Sequence, residues 1–190
     1  MNINSKAVNR SRFYLEKSGL TQHFYNIRSS VNIVDFYNIS ILENIELFID
    51  DFVQKHVNGT NSSLDIVEKN GLFIHGASAT GKTMLASYII YTLIQNAPLT
   101  LTRGCLFVNL TAFIDMLRPG RFGGEELLER AVKADVLVLD DFGTNVLSDW
   151  VFERLYFIIN TRRERVLPII YTSNLSMNEL KQSMSALDPV

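Results

Sequence analysis

Eight consecutive residues, Gly76-Ala77-Ser78-Ala79-Thr80-Gly81-Lys82-Thr83, keep the spacing G-x-x-x-x-G-K-[ST]. A loop of this kind, running into a helix, presents unpaired backbone N–H groups and partial positive charge, which together can surround a β-phosphate. Lys82 would reach the β- and γ-phosphates, and the Thr83 hydroxyl would ligate magnesium. The four fixed positions recur by chance in roughly one in a hundred chains of this length. The context narrows the match further. GLFIH (71–75) enters the loop as a short apolar run, and MLASYIIYTLI leaves it with the length and composition of a helix.

A triphosphate site of this type needs an acidic partner at the tip of another buried strand, and Val136-Leu137-Val138-Leu139-Asp140-Asp141 supplies one. Four aliphatic residues bring Asp140 to the carboxyl edge, where open α/β sheets bind their ligands. There it would hold the metal, through water. Asp141 follows in position to polarise an attacking water. A third polar cluster, Tyr171-Thr172-Ser173-Asn174, closes the run LPIIYT. If that strand lies between the other two, Asn174 can orient the water; Thr, Ser and Asn also end strands as turn formers.

The elements that must position these groups follow from periodicity. GLFIH (71–75), CLFVNL (105–110), DVLVLD (135–140) and LPIIYT (167–172) are short apolar runs, and three of them lack polar alternation. That pattern predicts strands buried on both faces of a parallel sheet. Helical stretches are expected at 82–95, 111–117, 124–133 and 148–163. Ser176 and Glu179, at capping-box spacing, open a last one. Earlier in the chain, Gly19 marks a helix stop after Phe13 and Leu15. Ser40 and Glu43 repeat the capping-box spacing ahead of an apolar stripe, Ile41 to Val53. The alternation predicts a three-layer α/β fold with right-handed crossovers. A helical segment over 1–60 is expected to precede the phosphate-binding core over 61–190.

Composition sets the outer limits. With 47% hydrophobic residues and 11% aromatics among 190, the chain can bury a sizeable core, so disorder is excluded as its ground state. A formal charge of −2 excludes a strongly basic coat for nucleic acid, though not a local basic patch. The single Cys105 excludes an internal disulfide and a multi-cysteine zinc site. The apolar stretch Met84–Ile94 is too short to span a bilayer, and the first ten residues have no signal-peptide core. A cytoplasmic protein without a membrane association is expected.

Taken together, the three polar elements resemble those of an AAA+ ATPase, a class of P-loop NTPases. Asp140-Asp141-Phe142-Gly143, Asp149-Trp150, Leu155-Tyr156, Ile158-Ile159-Asn160, Leu167-Pro168 and Thr172-Ser173-Asn174-Leu175-Ser176 resemble the bacterial DnaC/DnaI-type helicase loaders more specifically. The related IstB-type transposition helper ATPases share much of the pattern. This resemblance implies an ATP/ADP site with Mg2+, built from residues 76–83. It makes Thr83 and Asp140 the metal ligands, Lys82 and Asp141 catalytic, and Asn174 a sensor of the γ-phosphate. It also implies that residues Phe24 to Phe36 line the adenine. The implied partners are the replicative hexameric helicase and single-stranded DNA, with self-assembly on nucleotide or DNA. The alternatives are a transposition helper acting with a recombinase, and a nucleotide-gated adaptor with negligible turnover.

Three departures from that pattern bear on activity. Only about 35 residues precede the helix at Ser40, where the loaders carry a helicase-binding domain. Ala79 stands where the family usually has glycine, and if the position needs positive φ, alanine costs about 1 kcal/mol there. The chain stops at Val190, ahead of the family's arginine finger, fifth strand and lid; a fragment is the expectation, and a weak or inactive ATPase if the finger is truly absent. Two further clusters complete the candidates. Arg162, Arg163 and Arg165, with Arg118 and Arg121, would either contact DNA phosphates or form solvated helix ends. Trp150, Phe152 and Tyr156, at helical spacing, are assigned to core packing rather than base stacking.

Overall fold

The computed structural model of the chain describes residues 3–20, 37–58, 71–96, 98, 101–143 and 148–185. Among them, α1 (Ile3–Lys17) and α2 (Ile39–Asn58) precede β1 (Gly71–His75) and α3 (Lys82–Asn96). Then come β2 (Cys105–Asn109), α4 (Leu110–Leu117), α5 (Gly124–Lys133) and β3 (Val136–Asp140). Last are α6 (Asp149–Glu164), β4 (Ile169–Ser173) and α7 (Met177–Ser185). The four strands are parallel in the order β1-β4-β3-β2, so β4, last in sequence, inserts between the two strands carrying the phosphate loop and Asp140.

Each strand of alternating contacts feeds two cores. Cys105, Phe107, Val136, Val138 and Ile170 face α1, α2 and α3, whose Tyr14, Ile45, Ile49, Phe52, Ile89 and Leu93 fill that layer. Leu106, Leu137, Leu139 and Ile169 face the other way, onto Phe113, Ala131, Leu155, Ile158 and Leu180. All five residues of β3 are buried, because β2 and β4 flank it and helices cover both faces. The result is the three-layer α/β arrangement that the strand–helix alternation predicts. β1 coincides with its apolar run, β2 and β3 are each one residue shorter than theirs, and β4 starts two residues later and ends one residue later than its run.

Local chemistry explains several boundaries. Gly19 adopts φ +81, the left-handed geometry of a helix stop, and the Ser18 carbonyl then accepts from the Phe107 N–H at 2.6 Å, tying α1 to the edge of the sheet. The Ser176–Glu179 capping box forms as predicted: Glu179 Oε2 accepts from the Ser176 N–H at 2.7 Å, and the Glu179 N–H donates to Ser176 Oγ at 3.3 Å. The box predicted at Ser40 does not form. Asn38 caps α2 instead, its Oδ1 accepting from the Ser40 N–H at 3.0 Å, so the helix begins one residue earlier.

Two surface readings are corrected. Arg162 is neither a solvated helix end nor open to DNA. It is fully buried, donating at 2.8 Å to each of the Ala131, Ala134 and Pro168 carbonyls, and so joins α5 to the entry of β4. Burial lowers its pKa to about 10, which still leaves it charged at neutral pH. Arg163 and Arg165 remain exposed. Phe152 and Tyr156 do not pack in the core either; they stack on one another on the outer face of α6, 45% and 62% exposed. Leu155 and Ile158 occupy the buried face in their place.

Candidate nucleotide site

The phosphate loop leaves β1 at Gly76, whose N–H donates to the Ser173 carbonyl at 3.2 Å on neighbouring β4. Inside the loop, Thr80 Oγ1 donates to the Ala77 carbonyl at 2.9 Å, closing a tight turn. Gly81 turns the chain with φ +86, and its carbonyl accepts the Leu85 N–H at 2.9 Å, starting α3. The Tyr37 hydroxyl donates to the same carbonyl at 2.8 Å, lying so close to Gly81 that a Cβ there would strike it. Desolvation raises the pKa of Tyr37, so the phenol keeps the proton that makes this contact. Ala79 adopts φ +62, the conformation that glycine tolerates and alanine resists.

Lys82 is buried, and its Nζ donates to the Ala77 carbonyl within the loop at 2.7 Å. An ammonium has three donors, so the cation keeps capacity for a ligand seated in the same loop. One residue on, Thr83 Oγ1 donates to Asp140 Oδ1 at 2.9 Å. That bond joins the start of α3 to the tip of β3. Asp140 Oδ1 accepts a second hydroxyl, Thr172 Oγ1, at 2.6 Å, while Oδ2 has no donor among the described residues.

Asp140 is 4% exposed, and its pKa is raised. Desolvation is the leading cause, with Asp141 adding to it; the Thr172 and Thr83 hydroxyls and the Lys82 charge act the other way. Asp141 stands at φ +62, a left-handed backbone for a non-glycine residue. Its N–H donates to Thr172 Oγ1 at 3.0 Å, and its Oδ2 accepts from Asn109 Nδ2 at 3.1 Å. Asn109 reaches it because β2 and β3 pair with Asn109 opposite Asp140. The same asparagine also caps α4 through Oδ1 and the Ala112 N–H.

The fold therefore gathers Lys82 and Thr83, at the start of α3, with Asp140 and Asp141 at the tip of β3. Asn174 follows the end of β4 as an exposed side chain, on the strand that lies between β1 and β3. The segment Phe24 to Phe36 lies outside the described residues. Tyr37 and Asn109 are additions that motif spacing did not single out, and Thr172 lies in the cluster that closes LPIIYT without having been given a role of its own. Their only sequence signal is a polar group at the end of an apolar run, which equally marks a turn or a cap.

The donor set suits a hard cation. Oxygen ligands from one carboxylate and one hydroxyl match what Mg2+ accepts. Among the described residues, no cluster of three or more His, Cys, Asp or Glu side chains forms a protein-only metal cage. No helix among them is long and apolar enough to cross a membrane.

The chain is similar to several known proteins. Over 114 residues the chain is 27% identical to the replicative helicase loader DnaI of Bacillus subtilis (strain 168), a stretch covering 58% of this chain and 35% of that protein. The chain thus spans about a third of that relative's length. Among solved structures, the crystal structure of DnaI matches with a TM-score of 0.64 at 23% identity, covering 90% of this chain and 87% of that one. The crystal structure of the DnaC helicase loader matches with a TM-score of 0.57 at 25% identity, covering 87% and 86%. The fold is that of an AAA+ P-loop ATP-binding domain. Residues 8–189 match the family described as IstB-like ATP binding protein, and the chain belongs to that family.

Proposed function

We propose that this IstB-like family member binds ATP with magnesium, hydrolyses it, and uses the cycle to place a replicative hexameric helicase on single-stranded DNA. The observation that carries the nucleotide reading is the 2.9 Å bond from Thr83 to Asp140, because it brings the end of the phosphate loop and the β3 carboxylate to one point. In this reading, residues 76–83 cradle the phosphates and Lys82 balances their charge. Thr83 and Asp140 hold the cation. Magnesium, when bound with ATP, neutralises charge on the phosphate oxygens. Asp141 orients and deprotonates the attacking water, Asn109 restrains its carboxylate, and Asn174 senses the γ-phosphate from the adjoining strand.

The helicase-loader reading is supported by likeness to DnaI and DnaC, and the DNA reading by the turn between α4 and α5. Phe122 is wholly exposed there, between Gly120 and Gly123 at φ +84 and +82. Arg118 and Arg121 precede it and share the exposed Asp115 at 3.7 and 3.0 Å. Exposed ion pairs of this kind are weak enough to exchange for phosphate, and an unpacked phenyl ring suits base stacking. Self-assembly on nucleotide or DNA belongs to the same proposal.

The family match favours a second reading, a transposition helper that assembles on DNA beside a recombinase. Two experiments separate the cases. Single-turnover hydrolysis of ATP should be measurable in the wild-type chain and lost in Lys82→Ala and Asp141→Asn; background rates throughout would leave a nucleotide-gated adaptor. Capture of the replicative helicase, rather than a recombinase, in ATP-containing buffer supports loading, and the converse supports the transposition role.

A further inference from the structure

Thr172 is fully buried on β4, opposite Ile74 of β1. A threonine in such a place usually satisfies its own hydroxyl against backbone. Here the hydroxyl instead bridges two consecutive acidic residues of another strand. It donates to Asp140 Oδ1 at 2.6 Å and accepts the Asp141 N–H at 3.0 Å.

Both ends of that bridge control something the site needs. The Asp140 carboxylate turns about a broad, roughly two-fold torsion, and in a desolvated pocket each donor that fixes one orientation counts for more than in water. With Oδ1 held by Thr172 and Thr83 together, Oδ2 is the oxygen left to face a ligand. Asp141, at φ +62, holds an unfavourable backbone that surrounding contacts must enforce. The bond from its N–H to Thr172 and the neighbouring bond from the Phe142 N–H to the Thr172 carbonyl at 2.7 Å are what pin it.

We propose that Thr172 is a positioning residue whose one hydroxyl sets both the carboxylate orientation of Asp140 and the backbone of Asp141, and thereby the cation dependence of nucleotide binding. This rests on the nucleotide reading given above. Loss of a group that orients a metal-binding side chain typically lowers metal affinity by roughly ten- to a hundredfold. The effect should therefore fall on the magnesium-dependent part of binding alone.

The test measures the affinity of the full chain for a fluorescent ATP analogue twice, in Mg2+ and in EDTA. The variants are Thr172→Val, nearly the same shape without the hydroxyl, Thr172→Ala, and Thr172→Ser, which keeps the hydroxyl. Wild-type chain should bind more tightly in Mg2+. Thr172→Val should lose about tenfold in Mg2+ and change by less than about twofold in EDTA, with Thr172→Ser close to wild type. Equal weakening in both arms, or equal loss in Ser and Val, would assign Thr172 to packing and overturn the proposal. So would failure of both Val and Ala to fold while Ser folds. A wild-type chain that takes up no analogue overturns the nucleotide reading itself. One that binds equally in both arms overturns the cation assignment, and the proposal for Thr172 fails with either.

Discussion

The two ends of β3 each bury an acid close to a base, and they are finished in opposite ways. At the amino end, Asp135 accepts the Thr102, Arg103 and Gly104 N–H groups at 2.9, 2.8 and 2.7 Å and the Thr102 hydroxyl at 2.9 Å. Arg162 nearby gives its terminal nitrogens to three carbonyls. At the carboxyl end, Asp140 accepts two hydroxyls on a single oxygen, and Lys82 reaches one carbonyl of a loop made of small residues. A carboxylate can take about four donors and an ammonium can give three. The amino end has used nearly all of its capacity on the chain itself, Arg162 Nε being its one buried donor without a partner among the described residues, and the carboxyl end holds more in reserve. A buried charge that the chain satisfies is a staple; one left partly unsatisfied is an invitation to a ligand.

That contrast is broken most severely at the staple. Arg162→Ala should remove about 3–5 kcal/mol of stability, since three buried carbonyls lose their donor and the methylene stem leaves a void. Urea denaturation with and without the substitution measures it, and a loss below about 1 kcal/mol would mean that water or neighbours replace the guanidinium. Asp135→Asn should cost about 2–3 kcal/mol by the same method, because an amide cannot accept at both of its ends.

The opposite sign is expected at the carboxyl end. Asp140 has a folded-state pKa raised above its unfolded value, so its ionisation opposes folding. This penalty is fully present above the folded pKa and absent below the unfolded one, near about 3.9. Asp140→Asn should therefore raise the melting temperature at pH 7, and the gain should shrink as the pH falls toward the ordinary aspartate range. A melting temperature lowered by the substitution at neutral pH would contradict the comparison. The smallest effect sits in the loop. Ala79→Gly should relieve the positive φ and stabilise the chain by up to about 1 kcal/mol, tightening nucleotide binding if the loop is distorted by alanine; unchanged melting and affinity would show that the strain is absorbed elsewhere.

How much of this is legible without the fold depends on the range of each interaction. The phosphate loop and the apolar run ending in Asp140 are contiguous, so both their type and their place in the sheet follow from the chain. Ala79 is flagged only through the family resemblance, as a non-glycine residue where glycine is usual, and the position adopts φ +62. Thr172 and Asn109 are not legible, because their partners are set by strand register: Asn109 meets Asp141 only once β2 lies beside β3 with Asn109 opposite Asp140. Arg162 is misleading for a related reason. One turn from Arg165, it has the composition of a wet helix end, and only the packing of α5 against α6 shows that three carbonyls await it. Phe152 and Tyr156 repeat at helical spacing, but so do Leu155 and Ile158, and periodicity does not say which pair faces the sheet. Ser40 lost its capping role to Asn38 by a similar local competition, two polar residues two positions apart.

The most direct measurement is calorimetric titration of the folded wild-type chain and of Lys82→Ala with ATP and magnesium. Saturable binding by the wild-type chain, weakened by at least about tenfold in Lys82→Ala while its melting temperature stays the same, is the predicted result. A well-folded wild-type chain that gives no heat and gains no thermal protection from ATP with magnesium would contradict it, and the carboxyl end of β3 would then be one more staple.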